Sequence, residues 1–256
     1  MLSVVIAGSS TIGPKDVNHG DSSVRPVGYQ RWNHLLFLHW PVPPALVQAT
    51  LPRGLQVDTF GGDAYVGIVP FAMERVRPAR LPAVPWLSWF LELNVRTYVR
   101  DELGRTGVWF YSLDCNRALA VWLARTFFHL PYFRACISAD VQGLQVRMTC
   151  QRRHQPAPPQ QFAWSAAGEP AAAAPGSLEF FLVERYRLYA ADAAGRLWSG
   201  EVRHAPYQFG PARLTEFSAE PARLAGFHLE GHPVSALSAR PVEVAIFPLL
   251  AMGASR

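Results

Sequence analysis

Lysine is almost missing from this chain of 256 residues. Of its 24 basic side chains only Lys15 is a lysine, and the rest are arginines. An imine with a carbonyl compound needs a primary amine, so Lys15 alone carries the side chain for that chemistry. Charge of either sign is scarce, at 17% of residues. The net charge of +5 and the pI of about 9.4 come from arginines scattered along the chain. Nucleic-acid binding needs a stripe or cluster of positive charge, and the nearest approach is the short Gln151-Arg152-Arg153-His154. No nucleic-acid partner is expected.

Cysteine is also scarce. Cys115, Cys136 and Cys150 make an odd set without metal-ligand spacing, which points to reduced thiols in a cytoplasmic protein. No apolar run is long enough for a helix to cross a bilayer, so no membrane partner is expected. The apolar start, MLSVVIAGSSTIG, lacks the basic region of a signal peptide. It reads as a peripheral arm over residues 1–28. No internal repeat is present, and no G-x-S-x-G elbow. The segment GSSTIGPK imitates a phosphate loop, but Pro14 removes an N–H that phosphate needs and Asp16 replaces the metal-holding hydroxyl.

What the chain has is hydrophobic residues, at 50%, and many aromatics, including 8 Trp and 15 Phe. That composition belongs to a folded globular protein. Residues 29–250 read as a single domain. WNHLLFLHW (32–40) is apolar on both faces, as a buried strand is. A short helix is expected to start near Pro44, since proline is tolerated in a first turn. Residues 64–76 read as a strand with a bulge or an edge at Pro70. VWFYSL (108–113) reads as a return strand. Residues 114–129 read as the main helix, capped by Asp114. Its buried face would carry Ala118, Leu119, Trp122 and Phe127, and Pro131 would end it. Residues 151–177 are rich in proline and alanine and read as a flexible excursion. FLVERYRLYAA is expected to pair with RLWSGEVRH as a hairpin, and VEVAIFP (242–248) to close the sheet. Many strands and one long helix give an α+β class built on a mostly antiparallel sheet or barrel.

FLELNVRTYVR (90–100) has the clearest two-residue period. Leu91, Leu93, Val95, Thr97 and Val99 point one way, and Glu92, Asn94, Arg96, Tyr98 and Arg100 the other. The polar row lacks the Lys, Ser and Gln of a solvent face, so it is expected to line an internal polar cavity. Glu92 and Arg96 stand about 13–14 Å apart on an extended strand, too far for a direct pair, so each needs another partner. His34 and His39 fall on opposite faces of their strand. His228 and His232 sit four apart, but Gly231 and Pro233 oppose the helix a shared metal would need. No metal site and no cofactor are expected.

Several segments in order are similar to one family. HWPVPPALVQATLPRGLQVDTFGGDAYVGIVPF, LELNVRTYV, GVWFYSLD, ARTFFHLPY and ERYRLY resemble the signatures of the DUF2071, or YqjF-like, proteins. The resemblance implies a fold similar to acetoacetate decarboxylase, a largely antiparallel β-barrel around a pocket. In those decarboxylases a helix with a Gly-Arg-Glu element leads into a Gly-Phe/Tyr-Pro-Lys turn, whose lysine forms the Schiff base. By that resemblance Arg125 matches the arginine, His129-Leu130-Pro131-Tyr132 matches the turn, and Glu92 matches an acidic pocket residue. Tyr132 then stands at the lysine, and tyrosine cannot form an imine.

Three functions are compatible with these residues. A binding pocket for a small carboxylate or carbonyl compound would use Arg96 and Arg125 as anion partners. Tyr98 and Tyr132 would be donors there, and Glu92 and Asn94 would orient the ligand. A lysine-independent enzyme for enolisation, hydration or lyase chemistry would use Tyr132 as acid and Glu92 as base. A structural or partner-binding module would show a large exposed apolar patch.

Overall fold

A computed structural model of the protein describes residues 24–253. The Gly8–Lys15 segment, the only lysine and most of the expected arm lie outside the described residues.

The chain opens with β1 (Gly28–Asn33) and β2 (Leu35–Val42), which are one run of strand broken at His34. His34 adopts a left-handed φ of 50°, and its N–H is held by the Asn33 side chain at 2.8 Å. Helix α1 (Pro44–Gln48) follows, with proline in its first turn as expected. Next come β3 (Leu55–Val57), β4 (Ala64–Pro78), β5 (Phe90–Asp101) and β6 (Thr106–Cys115). Helix α2 (Ala118–Phe128) is followed by β7 (Tyr132–Gln142), β8 (Gln145–Arg152) and β9 (Gln160–Ala166). The C-terminal part contains α3 (Leu178–Val183), β10 (Arg187–Ala191), β11 (Leu197–Arg203), β12 (Phe209–Glu216), α4 (Glu220–Leu224), β13 (Ser235–Ala239), β14 (Val242–Ile246) and β15 (Leu250–Ala251).

The strands form one mixed 15-stranded sheet. Most pairings are antiparallel, and β6 pairs in parallel with both β7 and β10. The pairings do not close into one simple barrel. One circuit runs β1–β14–β11–β10–β6–β5–β4 and returns to β1. A second runs from β6 through β7, β8, β9, β12, β13 and β2 to β4 and β5. The two circuits share the wall β4–β5–β6. Pro70 falls where β4 exchanges β2 (up to Ile68) for β1 (from Ala72), so its missing N–H falls in a gap of the ladder rather than at an edge.

The shared wall separates two hydrophobic clusters, and alternation assigns each side chain. Leu35, Phe37, Val69, Phe71, Met73, Phe90, Tyr98 and Tyr132 belong to one. Leu36, Leu38, Trp40, Val66, Ile68, Leu93 and Val95 belong to the other, with Met148, Phe162 and Trp164 from β8 and β9. A strand inside a shared wall has no solvent face. This is why β5 is buried on both sides from Leu93 to Val99.

Four expectations are corrected. Residues 151–177 contain a strand, β9, whose Phe162, Ala163 and Trp164 are buried; the flanking prolines end the strand without preventing it. FLVERYRLYAA is split into α3 and β10, because Ser177 accepts the Phe180 N–H and nucleates a turn of helix. Asp114 does not cap α2. It lies in β6, buried, and takes a bidentate pair from Arg152 at 2.6 and 2.9 Å. The N-cap is Arg117, without a side-chain cap bond. Finally, Leu119, Trp122 and Phe127 of α2 are exposed, and Val121 is its one fully buried residue.

The Arg152 guanidinium also lies 4.1 Å from the centre of the Phe133 ring, so the pair is fully enclosed. Removing one member strands the other charge in the interior, at a cost of about 3–5 kcal/mol. We therefore expect Arg152→Met to lose stability of that order in chemical denaturation. The double variant Asp114→Leu/Arg152→Met should recover most of the loss.

Candidate functional site

A cavity of about 490 Å³ lies on the β5 face that carries Glu92, Asn94 and Arg96. These three and Tyr132 line it, together with apolar side chains from β2, β4, β6 and α2. The lining is thus mostly apolar with a polar stripe, where a polar cavity was expected from the β5 pattern. The reason is that the polar groups of β5, Tyr132 and a few arginines face walls built largely of apolar side chains such as Leu35, Phe71, Met73 and Leu113.

Tyr132 reaches the cavity through backbone geometry. Helix α2 stops at His129, which is left-handed at φ 50°. Leu130 and Pro131 cannot continue it. The Leu113 N–H then bonds the Pro131 carbonyl at 3.0 Å, and Tyr132 pairs with Leu113 in the parallel β6–β7 ladder. This places the phenol over β5, where its O–H donates to Glu92 Oε2 at 2.7 Å. Burial pushes the Glu92 carboxyl up to about 7; the bonds from Tyr132 and Asn94 oppose the shift without cancelling it. Burial, reinforced by the adjacent Glu92 charge, raises the Tyr132 phenol well above its ordinary value. Tyr132 therefore stays a proton donor in its hydrogen bond, while Glu92 can exchange a proton near neutral pH.

Arg96 is the second feature. It is 9% exposed. Its Nη2 donates to the Leu182 carbonyl at 3.2 Å, and its guanidinium stands 5.3 Å from the Phe37 ring centre. Among the described residues it has no carboxylate partner, and its enclosed Nε has no hydrogen-bond partner. A β-bulge in β6 lies beside it, since the ladder with β5 slips between Val95 and Arg96. Bulges of this kind re-aim neighbouring side chains. Across the ladder Gly67 leaves room for Arg96 and His39; a Cβ there would meet His39 Cδ2 at 3.1 Å.

The expected site residues do not all converge. Glu92, Asn94, Arg96 and Tyr132 share the cavity. Tyr98 lies on the same face of β5 but behind the lining. Its O–H donates to the Leu182 carbonyl at 2.8 Å and sits 2.7 Å from His39 Nε2. That single proton is spent on Leu182, so His39 donates through Nε2 and keeps a bare Nδ1, which has no partner. Burial and then the Arg96 charge hold the His39 pKa well below its ordinary value. Arg125 is exposed and outside the lining. It braces the turn instead, donating to the Tyr132 carbonyl at 2.6 Å. Its helix position points it over the turn while α2 presents Ala120, Leu123 and Ala124 to the cavity. His39 and Arg185 were missed by sequence reasoning. His39 could have been found, because it shares strand parity with the buried Leu35 and Phe37. Arg185, which lines the cavity and pairs with Asp58 at 2.7 Å, lies in a segment that reads as plain strand. His228 and His232 fall in a loop, and His232 packs on Phe217. No group of three metal-ligating side chains gathers among the described residues.

The sequence matches the DUF2071 family of uncharacterized conserved proteins over residues 29–243. The chain belongs to the DUF2071 family. It is 38% identical over 178 residues to the uncharacterized protein YqjF of Bacillus subtilis (strain 168), which covers 70% of this chain and 73% of that protein. Among solved structures this DUF2071 chain is similar to the enduracididine biosynthesis enzyme MppR complexed with pyruvate. That match has a TM-score of 0.63 and 14% identity over 96% of this chain and 98% of that one. It is also similar to acetoacetate decarboxylase from Legionella pneumophila, with a TM-score of 0.61 and 15% identity over 98% of both chains. The fold is therefore acetoacetate decarboxylase-like. No helix among the described residues is long and apolar enough to cross a membrane.

The Glu92 shift gives a pH dependence with a definite sign. Its folded pKa, about 7, lies above the reference value of 4.5, so the folded chain holds this proton more tightly than the unfolded chain. The contribution to stability is complete below pH 4.5 and is lost as pH rises through 7, by roughly 3 kcal/mol in all. Glu92→Gln carries a permanent neutral mimic of the protonated acid. Its melting temperature should fall less than that of the parent between pH 4.5 and 7.5; parallel profiles would reject the assignment.

Proposed function

We propose that the cavity binds a small organic anion, a carboxylate or a keto acid, with Arg96 as its anchor. The observation that carries this is the buried guanidinium, which has no carboxylate partner among the described residues. A charge removed from water must be paired, and a ligand carboxylate supplies the missing partner with planar, two-point geometry. The pyruvate complex of MppR, a protein of the same fold, is consistent with such a ligand. Asn94 adds to the reading, because its buried Oδ1 lacks a partner and can accept a ligand hydrogen bond. The compartment expected from the free thiols Cys115, Cys136 and Cys150 is the cytoplasm.

A second reading is a lysine-independent acid–base enzyme. It rests on the Glu92 carboxyl at about 7, a value suited to giving and taking a proton at neutral pH. Glu92 would act on a carbon or oxygen next to the ligand carbonyl, and Tyr132 would turn its single proton from Glu92 to the carbonyl to polarise it. Schiff-base decarboxylation is not part of either reading, since no lysine among the described residues lines the cavity and Tyr132 lacks an amine.

The test is a calorimetric and thermal-shift survey of short monocarboxylates and 2- and 3-keto acids. Arg96→Met should weaken any ligand found by at least about tenfold, the lower range for losing a charge-assisted pair. Equal binding by parent and variant would remove Arg96 as anchor. For the second reading, Tyr132→Phe should keep ligand affinity within a few-fold while losing turnover or solvent-proton exchange on the bound keto acid. Exchange left unchanged in Tyr132→Phe and Glu92→Gln would remove both groups from the chemistry and overturn the second reading.

A further inference from the structure

The cavity is far larger than a three-carbon acid, and its polarity is distributed unevenly. Arg96 lies at one end, beside Leu182. The lining residues that are exposed are Val27, Pro78, Leu123 and Phe127, which put the mouth at the other end, between the end of β4 and α2. Strand β5 runs between the two, from Phe90 near the mouth to Arg96 inside. At about 3.4 Å per residue that is roughly 20 Å. The path passes Asn94 and Glu92, and its facing walls include Phe71, Met73 and Leu113. Of the other arginines of the lining, Arg185 pairs with Asp58 and Arg187 with Glu201. Arg77 lies over the Tyr29 ring, half-buried beside the exposed Pro78, where water can solvate it. One anion site thus sits at the closed end of a long apolar passage.

The mouth is apolar as well. Leu123 and Phe127 continue outward into Trp122, which packs edge-on against Phe127. Trp86, 69% exposed, lies in the loop tied to the start of α2 by the Arg117 bond to its carbonyl at 3.1 Å. Helix α2 therefore spends its apolar face on the cavity and its rim instead of on the core. An apolar passage of this size, left dry, loses dispersion contacts on every wall, and a short acid held at Arg96 fills little of it.

We propose that the ligand is an amphipathic carboxylic acid. Its carboxylate pairs with Arg96, and its apolar body lies along β5 toward the rim formed by α2 and the end of β4. This rests on the reading of Arg96 as an anion anchor and adds the chemical class of the remainder of the ligand. Functional groups near the carboxylate would pass Asn94 first and the Glu92–Tyr132 pair next.

The test is isothermal calorimetry of the purified full chain with straight-chain saturated acids from two to twelve carbons, below their micelle concentrations. Methyl esters of the longer acids and the variant Arg96→Met serve as controls. Each added methylene should tighten binding about fourfold until the passage is filled. The esters and Arg96→Met should bind the long chains at least about tenfold more weakly. Ala124→Phe, which narrows the passage on α2, should shorten the optimum chain. If short acids bind through Arg96 and lengthening adds nothing, the amphipathic class is overturned while the anion anchor stands. If affinity rises with length equally for esters and for Arg96→Met, the carboxylate is not held at Arg96 and both readings are overturned. If no acid of any length binds the parent, both fall together.

Discussion

A strand buried on both faces has no water for the polar groups it carries. Strand β5 is such a strand because two circuits of the sheet share it. On one face Leu93 and Val95 enter a dry cluster. On the other, Glu92, Asn94 and Arg96 face a cavity and must find partners inside the molecule. Glu92 finds Tyr132. Among the described residues Arg96 finds one backbone carbonyl and two aromatic faces, and no carboxylate. The remaining imbalance of charge is what a ligand can correct, so the candidate site follows from the way the sheet closes.

Among the described residues, the cavity lining carries a phenol, Tyr132, and no lysine. The resemblance puts Tyr132 where acetoacetate decarboxylases carry their lysine. A lysine there would be a nucleophile; a phenol raised by burial and by the Glu92 charge is a donor. The pair Glu92–Tyr132 is overall neutral when Glu92 is protonated, which is the state that burial favours. Such a pair can orient a carbonyl or move a proton without a covalent intermediate. Arg125 reinforces the turn that holds Tyr132 rather than meeting a ligand.

Much of the architecture is legible in local pattern. The period of two in β5, the proline start of α1, the stop at Pro131 and the closing strand β14 each follow from short-range rules. Errors arise where a tertiary partner overrides a local signal. Asp114 looks like a helix cap, but Arg152, 38 residues later, draws it into the interior. Leu119, Trp122 and Phe127 look like a core face, yet α2 has no layer above it to pack against, and they remain exposed. Residues 160–166 look like part of a loop, but β8 and β12 provide a ladder on either side.

The sequence by itself determined which residues stand on the polar row of β5 and that Tyr132 follows a helix stop. It also determined that no amine accompanies them in the matched region. These are consequences of alternation, proline chemistry and side-chain type, which act over a few residues. The tertiary structure alone decided that Tyr98 and Arg125 stay behind or outside the cavity, that His39 stands behind Arg96, and that most of the wall is apolar. The reason is distance along the chain. Lining side chains come from elements as far apart in the chain as β1, β5, α2, β10, β11 and β14, and no local rule specifies which faces such separate segments turn toward one another.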